Sequence, residues 1–300
     1  MSPRLAWSAA GAATLALALT GCGTSSNADP QPPGGKIEVV TSTNVWGSVV
    51  QAVGGDAVTV KAVLSNPSAD PHSYQSSATD ALALKNAKLA VYNGGGYDDF
   101  FTQLVDTSGQ DARKIVTFDL SGKPAGTNEH VWYDLPTVKK VADKIADELG
   151  AVAPDRKDAF AANAKAFDAQ LDELITRTAQ IGKAKPGLQV VMTEPVAAYL
   201  LETAGVADAT PAEFAEAIEE ETDPPAAVIA RTSDLVRNKQ VAALVNNEQT
   251  ETPVTGQLDD AARSAGLPIV NVTETLPEGV TGYLDWMTKQ VDALSGALTK

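Results

Sequence analysis

The chain of 300 residues holds one cysteine, two histidines and three methionines, and only 5 % of it is aromatic. A single cysteine rules out an internal disulfide framework and any thiolate-based metal cluster built from this chain alone. Basic residues are scarce as well: 23 Lys and Arg stand against 38 Asp and Glu, for a formal charge of −15. Such a surface repels phosphate backbones, which argues against a nucleic-acid partner and for an affinity towards cations. The signatures of common enzyme chemistries are also missing: no Gly-x-Ser-x-Gly elbow, no His-Glu-x-x-His helix and no phosphate-binding loop occurs. The one long apolar run lies at the N-terminus, from Leu5 to Leu19 after Arg4, and is about 15 residues long, too short to span a bilayer comfortably.

That run reads as a signal peptide over residues 1–21, ending in Leu19-Thr20-Gly21-Cys22. The motif looks like a bacterial lipobox, with Cys22 the lipidated first residue of the mature chain. Residues 22–35, rich in Ser, Pro and Gly, then form a flexible tether. The expected location is the outer face of the cell membrane, held by the lipid on Cys22.

Beyond the tether, two blocks alternate short β-branched runs with helical stretches, the pattern of parallel sheets covered by helices. Strands are expected at Ile37–Thr43, Val58–Leu64, Leu89–Asn93 and Lys114–Leu120, then at Leu188–Thr193, Val241–Val245 and Pro268–Val272. Helices fall between them. From Pro136 the apolar residues Val138, Val141, Ile145 and Leu149 mark a helix that Gly150 and Pro154 break. A second helical run from Asp155 to Ile181 contains no Gly or Pro, and Phe160, Ala164, Phe167, Leu171, Leu174 and Thr178 share one face. At 1.5 Å per residue it is about 40 Å long, a rigid spine. The fold class is therefore α/β: an N-terminal lobe over 36–135, connecting helices over 136–184 and a C-terminal lobe over 185–300.

Ligands of open α/β sheets lie beyond the carboxyl ends of the strands. The loop after the second strand carries His72 and the loop after the fourth carries His130. Strand Leu188–Thr193 runs directly into Glu194-Pro195, and the last strand into Thr273-Glu274-Thr275. Two donors from each lobe would meet in the cleft between them. Taken singly, the histidines also fit solvated loops, and each glutamate also fits a carboxylate at a helix N-terminus. Trp46, Trp132, Tyr199 and Trp286 are expected in the core rather than as site residues.

The order of motifs resembles the metal receptors of bacterial zinc and manganese ABC importers, the family with a helical backbone between its lobes. Gly54-Gly55-Asp56, the valine-rich Val58–Leu64, Asp70-Pro71-His72-Ser73-Tyr74, Asn93-Gly94, His130-Val131-Trp132-Tyr133-Asp134 and Tyr283-Leu284-Asp285-Trp286-Met287 follow the family pattern along nearly the whole mature chain. The resemblance implies a metal site of His72, His130, Glu194 and Glu274, with Asp70 and Asp134 placed to receive a histidine N–H. It also implies an ABC permease and its ATPase as partners, a monomeric receptor, and no enzymatic activity. The third ligand is usually histidine in the zinc receptors of that family and glutamate in its manganese receptors; here it is Glu194. The chain departs from the pattern at Asn128-Glu129-His130, where Asp-Pro-His is usual, at Glu274, where aspartate is usual, and in having no histidine-rich insertion. Bidentate carboxylates would give six donors, suiting Mn²⁺ or Fe²⁺; monodentate ones would give the four that suit Zn²⁺. The expected cargo is Mn²⁺, then Zn²⁺. The rival reading is a surface adhesin or scaffold of the same fold with a vestigial site.

Overall fold

The computed structural model describes residues 35–66, 74–220 and 222–299. Cys22, Asp70 and His72 lie outside the described residues, as do the expected signal peptide and all but the last residue of the tether. Residues 36–300 form one compact unit.

Four strands make the first sheet: β1 (Ile37–Thr43), β2 (Val58–Leu64), β3 (Leu89–Tyr92) and β4 (Arg113–Val116). Four more make the second: β5 (Gln189–Met192), β6 (Ala207–Asp208), β7 (Ala243–Asn247) and β8 (Ile269–Val272). All pairings are parallel, and the orders are β2-β1-β3-β4 and β6-β5-β7-β8, one pattern used twice. Central strand β3 is the apolar run Leu-Ala-Val-Tyr, and β5 continues as Val-Val-Met after an exposed Gln189, because a parallel sheet covered by helices buries both faces. In each sheet the strand order reverses between the first and third strands, and this is where an open sheet leaves a crevice. Asn93 follows β3 and Asn247 ends β7. With Leu89 beside Val39 and Ala243 beside Val190, the two asparagines hold the same register in their sheets.

The helices are α1 (Asn44–Gly54), α2 (Ala78–Asn86), α3 (Asp99–Ser108), α4 (Thr117–Ser121), α5 (Leu135–Val152), α6 (Lys157–Ala184), α7 (Ala198–Ala204), α8 (Ala212–Glu219), α9 (Ala226–Arg237), α10 (Pro253–Ala265) and α11 (Tyr283–Leu298). The spine is α6, whose 28 residues extend about 42 Å. Its buried residues, Phe160, Ala164, Phe167, Leu171, Leu174, Thr178 and Ile181, alternate four- and three-residue steps and form one stripe. This stripe joins a single apolar core that contains α1, α5 and α11 and reaches strands of both sheets. Smaller clusters fill the outer layer of each lobe, around Phe101 and Leu104 in one and Phe214, Val236 and Leu258 in the other.

Hydrogen bonds tie the lobes together over this core. The Asn44 side chain accepts from the Leu276 N–H at 2.9 Å and donates to the Leu276 carbonyl at 3.2 Å. Tyr133 donates its hydroxyl to the Thr273 carbonyl and Tyr283 donates to the Trp132 carbonyl, at 2.9 and 2.6 Å. Burial raises both phenol pKa values well above the ordinary range, so both remain donors. Trp46, Trp132 and Trp286 are fully buried and Tyr199 nearly so, in keeping with core positions.

Two local expectations fail, and one short strand is missed. The strand expected over Lys114–Leu120 stops at Val116, because the Phe118 N–H turns to the Asn93 carbonyl and α4 begins. Gly150 does not break α5, which runs on to Val152 before Pro154 turns the chain; Gly150 is buried where a Cβ would press on Lys157. The two-residue edge strand β6 is too short to leave a periodic signal.

Gly182 shows how closely the spine is seated. A Cβ there would lie 2.4 Å from the Ala204 carbonyl oxygen at the end of α7 and 2.9 Å from that of Gly205. Both obstacles are backbone, so Gly182→Ala must part α6 from α7. Chemical denaturation should show a loss of about 1–3 kcal/mol; an unchanged midpoint would mean the two helices are not held this close.

Candidate metal centre

In the C-terminal lobe, β5 ends in Thr193, and Glu194 follows with extended backbone because Pro195 disfavours a helical conformation before it. The Thr193 hydroxyl accepts the Asn247 N–H from the neighbouring strand. The side-chain amide of Asn247 then faces outward from the switch point. Its Nδ2 lies 2.5 Å from Glu194 Oε2, 2.9 Å from Glu274 Oε1 and 2.7 Å from Thr250 Oγ1, so its two N–H groups are shared among three oxygens. The Thr250 hydroxyl donates a hydrogen bond to Glu194 Oε1. Gln249 Oε1 accepts the N–H groups of Glu274 and Thr275, fixing the loop that follows β8. Two carboxylates from different strands thus converge on one amide; Glu274 is buried and Glu194 partly so.

In the N-terminal lobe, His130 is buried, with 1 % of its surface exposed. Asn128 Oδ1 lies 2.7 Å from its Nδ1 and also accepts its backbone N–H at 2.9 Å. An amide oxygen only accepts, so this network assigns the ring proton to Nδ1 and makes Nε2 the unprotonated nitrogen. Asn128 is itself anchored to the opposite lobe: its Nδ2 donates to the Pro195 carbonyl, and its carbonyl accepts from Tyr199. Tyr97 and Trp132 pack edge-on against the imidazole. Asp134 plays a different part from the one expected of it. Its carboxylate accepts from Thr137 at the start of α5 and pairs with Lys123, while Asn128 takes the histidine proton.

Two carboxylates not read from the sequence join the group. Glu219, the last residue of α8, places Oε1 3.9 Å from His130 Nε2. Ligand atoms of Glu129, His130 and Glu219 all lie within 4.8 Å of one another. Burial, together with Glu129, Glu194 and Glu274, pushes the Glu219 pKa up to about 9. Glu219 therefore shares its surroundings with both carboxylates held by Asn247. A cavity of ≈ 410 Å³ opens beside it, lined among others by Glu194, Glu219, Asp223, Thr250 and Glu251, with no basic residue among the described residues that line it. The only sequence hint of Glu219 was its place in the acidic stretch after Phe214 and Ile218, whose burial turns the end of α8 inward. Chemically, an imidazole and several oxygen donors around an acid-walled cavity suit a divalent cation.

The raised pKa of Glu219 has a stability consequence. Because the folded-state pKa lies above the unfolded one, its contribution is fully present below pH ~4.5 and is lost as pH rises towards about 9. With chelator present, Glu219→Gln, which cannot ionise, should unfold at a higher temperature than wild type at pH 8. The gap should close towards pH 5; a pH-independent gap would contradict this environment for Glu219.

Comparison with known proteins agrees with this architecture. The family model described as ZnuA, zinc-uptake complex component A, periplasmic, matches residues 39–297. The manganese-binding lipoprotein MntA of Halalkalibacterium halodurans is 24 % identical over 305 residues, covering 95 % of this chain and 96 % of the relative. The zinc-binding lipoprotein AdcA of Streptococcus pneumoniae is 24 % identical over 316 residues, covering 94 % of this chain, which spans 59 % of that longer protein. The solved periplasmic zinc-binding protein TroA of Treponema pallidum shares the fold with a TM-score of 0.74 at 18 % identity, covering 89 % of this chain and 100 % of TroA. With two like-ordered parallel sheets, a spine helix and donors gathered at the strand ends, this chain belongs to the zinc-uptake complex component A family.

Proposed function

We propose that the protein captures a divalent transition-metal ion outside the membrane and delivers it to an ABC importer, with Mn²⁺ the favoured cargo and Zn²⁺ next. The observation that carries this reading is the shared hold of Asn247 on Glu194 and Glu274, within the same group of carboxylates that reaches His130 through Glu219. His130 Nε2, Glu194 and Glu274 are the proposed ligands among the described residues. His72 is proposed as a further ligand from the β2–α2 loop, with Asp70 receiving its ring proton. The importer's permease and ATPase are the proposed partners, and lipidation at Cys22 the proposed anchor of a monomeric receptor. We divide the chain into a signal peptide over 1–21, a tether over 22–35, lobes over 36–135 and 185–300, and connecting helices over 136–184.

Capture rather than catalysis follows from the enclosure of the donors. A catalytic zinc site has three protein ligands and an open position for water, whereas these ligands come from both lobes and surround the ion. Relatives are named for zinc and for manganese alike, so the choice of cargo rests on ligand chemistry. Glutamates at both C-lobe positions supply hard oxygen donors, which favour Mn²⁺ more than a third histidine would.

Thermal unfolding of chelator-stripped protein, titrated with Mn²⁺, Zn²⁺ and Ca²⁺, tests the reading. An ion that binds only the folded state stabilises it by RT ln(1 + [L]/Kd), about 4 kcal/mol at a thousandfold excess over Kd. Mn²⁺ and Zn²⁺ should raise the transition, His130→Ala should abolish the rise, and Glu194→His should move the preference towards Zn²⁺. No rise with any ion would leave a scaffold or adhesin of this fold.

A further inference from the structure

We propose that Glu219 is itself a ligand of the cargo ion, acting with His130 and Glu129, and that it biases the site towards Mn²⁺ over Zn²⁺. This rests on the metal-cargo reading above.

The geometry of the trio is the first support. At 3.9 Å, the separation of Glu219 Oε1 and His130 Nε2 exceeds a hydrogen bond. It suits two donors on one ion, each at about 2.1 Å. The third donor, Glu129, adjoins His130 in sequence and completes a group whose ligand atoms span no more than 4.8 Å. Small side-chain rotations would bring all three onto a common centre. Because Asn128 holds Nδ1, the nitrogen facing Glu219 is the one with the lone pair to give.

The placement of Glu219 is the second support. It ends α8, where backbone carbonyls disfavour a negative side chain. Phe214 and Ile218, buried in the outer core of the C-terminal lobe, anchor that helix and point its end at the cavity. A glutamate at a helix C-terminus, partly buried among Glu129, Glu194 and Glu274, breaks the local rules of charge placement. A cation bound between these carboxylates resolves the conflict, and a surface role does not.

The donor count gives the selectivity. His130, Glu129, Glu219, Glu194 and Glu274 offer five donor groups, four of them carboxylates, before any contribution from the β2–α2 loop. Tetrahedral Zn²⁺ sites take four ligands, mostly nitrogen and sulfur, whereas Mn²⁺ accepts more donors and favours oxygen. Removing Glu219 should therefore weaken Mn²⁺ binding more than Zn²⁺ binding.

The test uses the full chain, stripped with chelator, as wild type, Glu219→Gln and Glu219→Asp. Competition titrations give the Mn²⁺ and Zn²⁺ affinities, and the visible absorption of bound Co²⁺ reports coordination number. Glu219→Gln should lose about tenfold or more in Mn²⁺ affinity, with a much smaller loss for Zn²⁺. Its Co²⁺ spectrum should gain the intense bands of a four-coordinate ion. Glu219→Asp, which keeps the carboxylate, should recover part of the Mn²⁺ affinity. Equal losses for both ions, or affinities and spectra like those of wild type, would overturn the assignment while leaving the metal-cargo reading in place. Failure of wild type to bind either ion would overturn both.

Discussion

Phe160, Phe167, Leu171 and Leu174 lie on one stripe of α6, buried in an apolar core that continues into both sheets. Because protein interiors pack at near-crystalline density, a core shared in this way transmits position and does not act as a loose hinge. Each strand end is consequently placed relative to the other lobe, and the hydrogen bonds from Asn44, Tyr133 and Tyr283 across the lobe junction refine that placement. Asn128 extends the same logic to the candidate centre, since it orients the imidazole of one lobe while bonding to Pro195, next to Glu194, in the other.

Against this rigidity stands the cost of assembling like charges. Two carboxylates hydrogen-bonded to one amide nitrogen lie close enough to repel each other when ionised. Hydrogen bonds to charged acceptors contribute about 1.5–3 kcal/mol each, and those from Asn247 work against that repulsion. Glu219 meets its crowding in another way: its pKa rises until it holds a proton at neutral pH. Asn247 and a protonated Glu219 keep the group of glutamates together. A divalent ion would replace both devices with direct coordination, which makes the gathering of acids purposeful in a binding protein.

Much of this was legible in the sequence because it is written in short-range pattern. The spine showed itself through the run from Asp155 to Ile181, free of glycine and proline, with a regular apolar stripe. The sheets showed through β-branched runs, and the rule that ligands gather beyond strand ends named His72, His130, Glu194 and Glu274 as candidates. What was not legible depends on tertiary contact. Thr117 and Phe118 have strand-like side chains, yet a single bond from the Phe118 N–H to the Asn93 carbonyl starts a helix there. Glu219 stands in an acidic helix that looks solvated until the packing of Phe214 and Ile218 turns its end inward. Asn247 gave a fainter clue, the second of two amides that end β7 after Ala-Leu-Val. Asp134 misled because a carboxylate four residues from a histidine resembles a proton acceptor, while a helix starting at Leu135 claims it through Thr137.

The most direct test of the central claim is to crystallise the protein with Mn²⁺ and locate the ion by its anomalous scattering. One strong peak should lie about 2.0–2.3 Å from His130 Nε2 and from carboxylate oxygens of Glu194 and Glu274. A peak elsewhere on the molecule, or a well-ordered crystal with no peak beside His130, would contradict the assignment of this cleft as the metal centre.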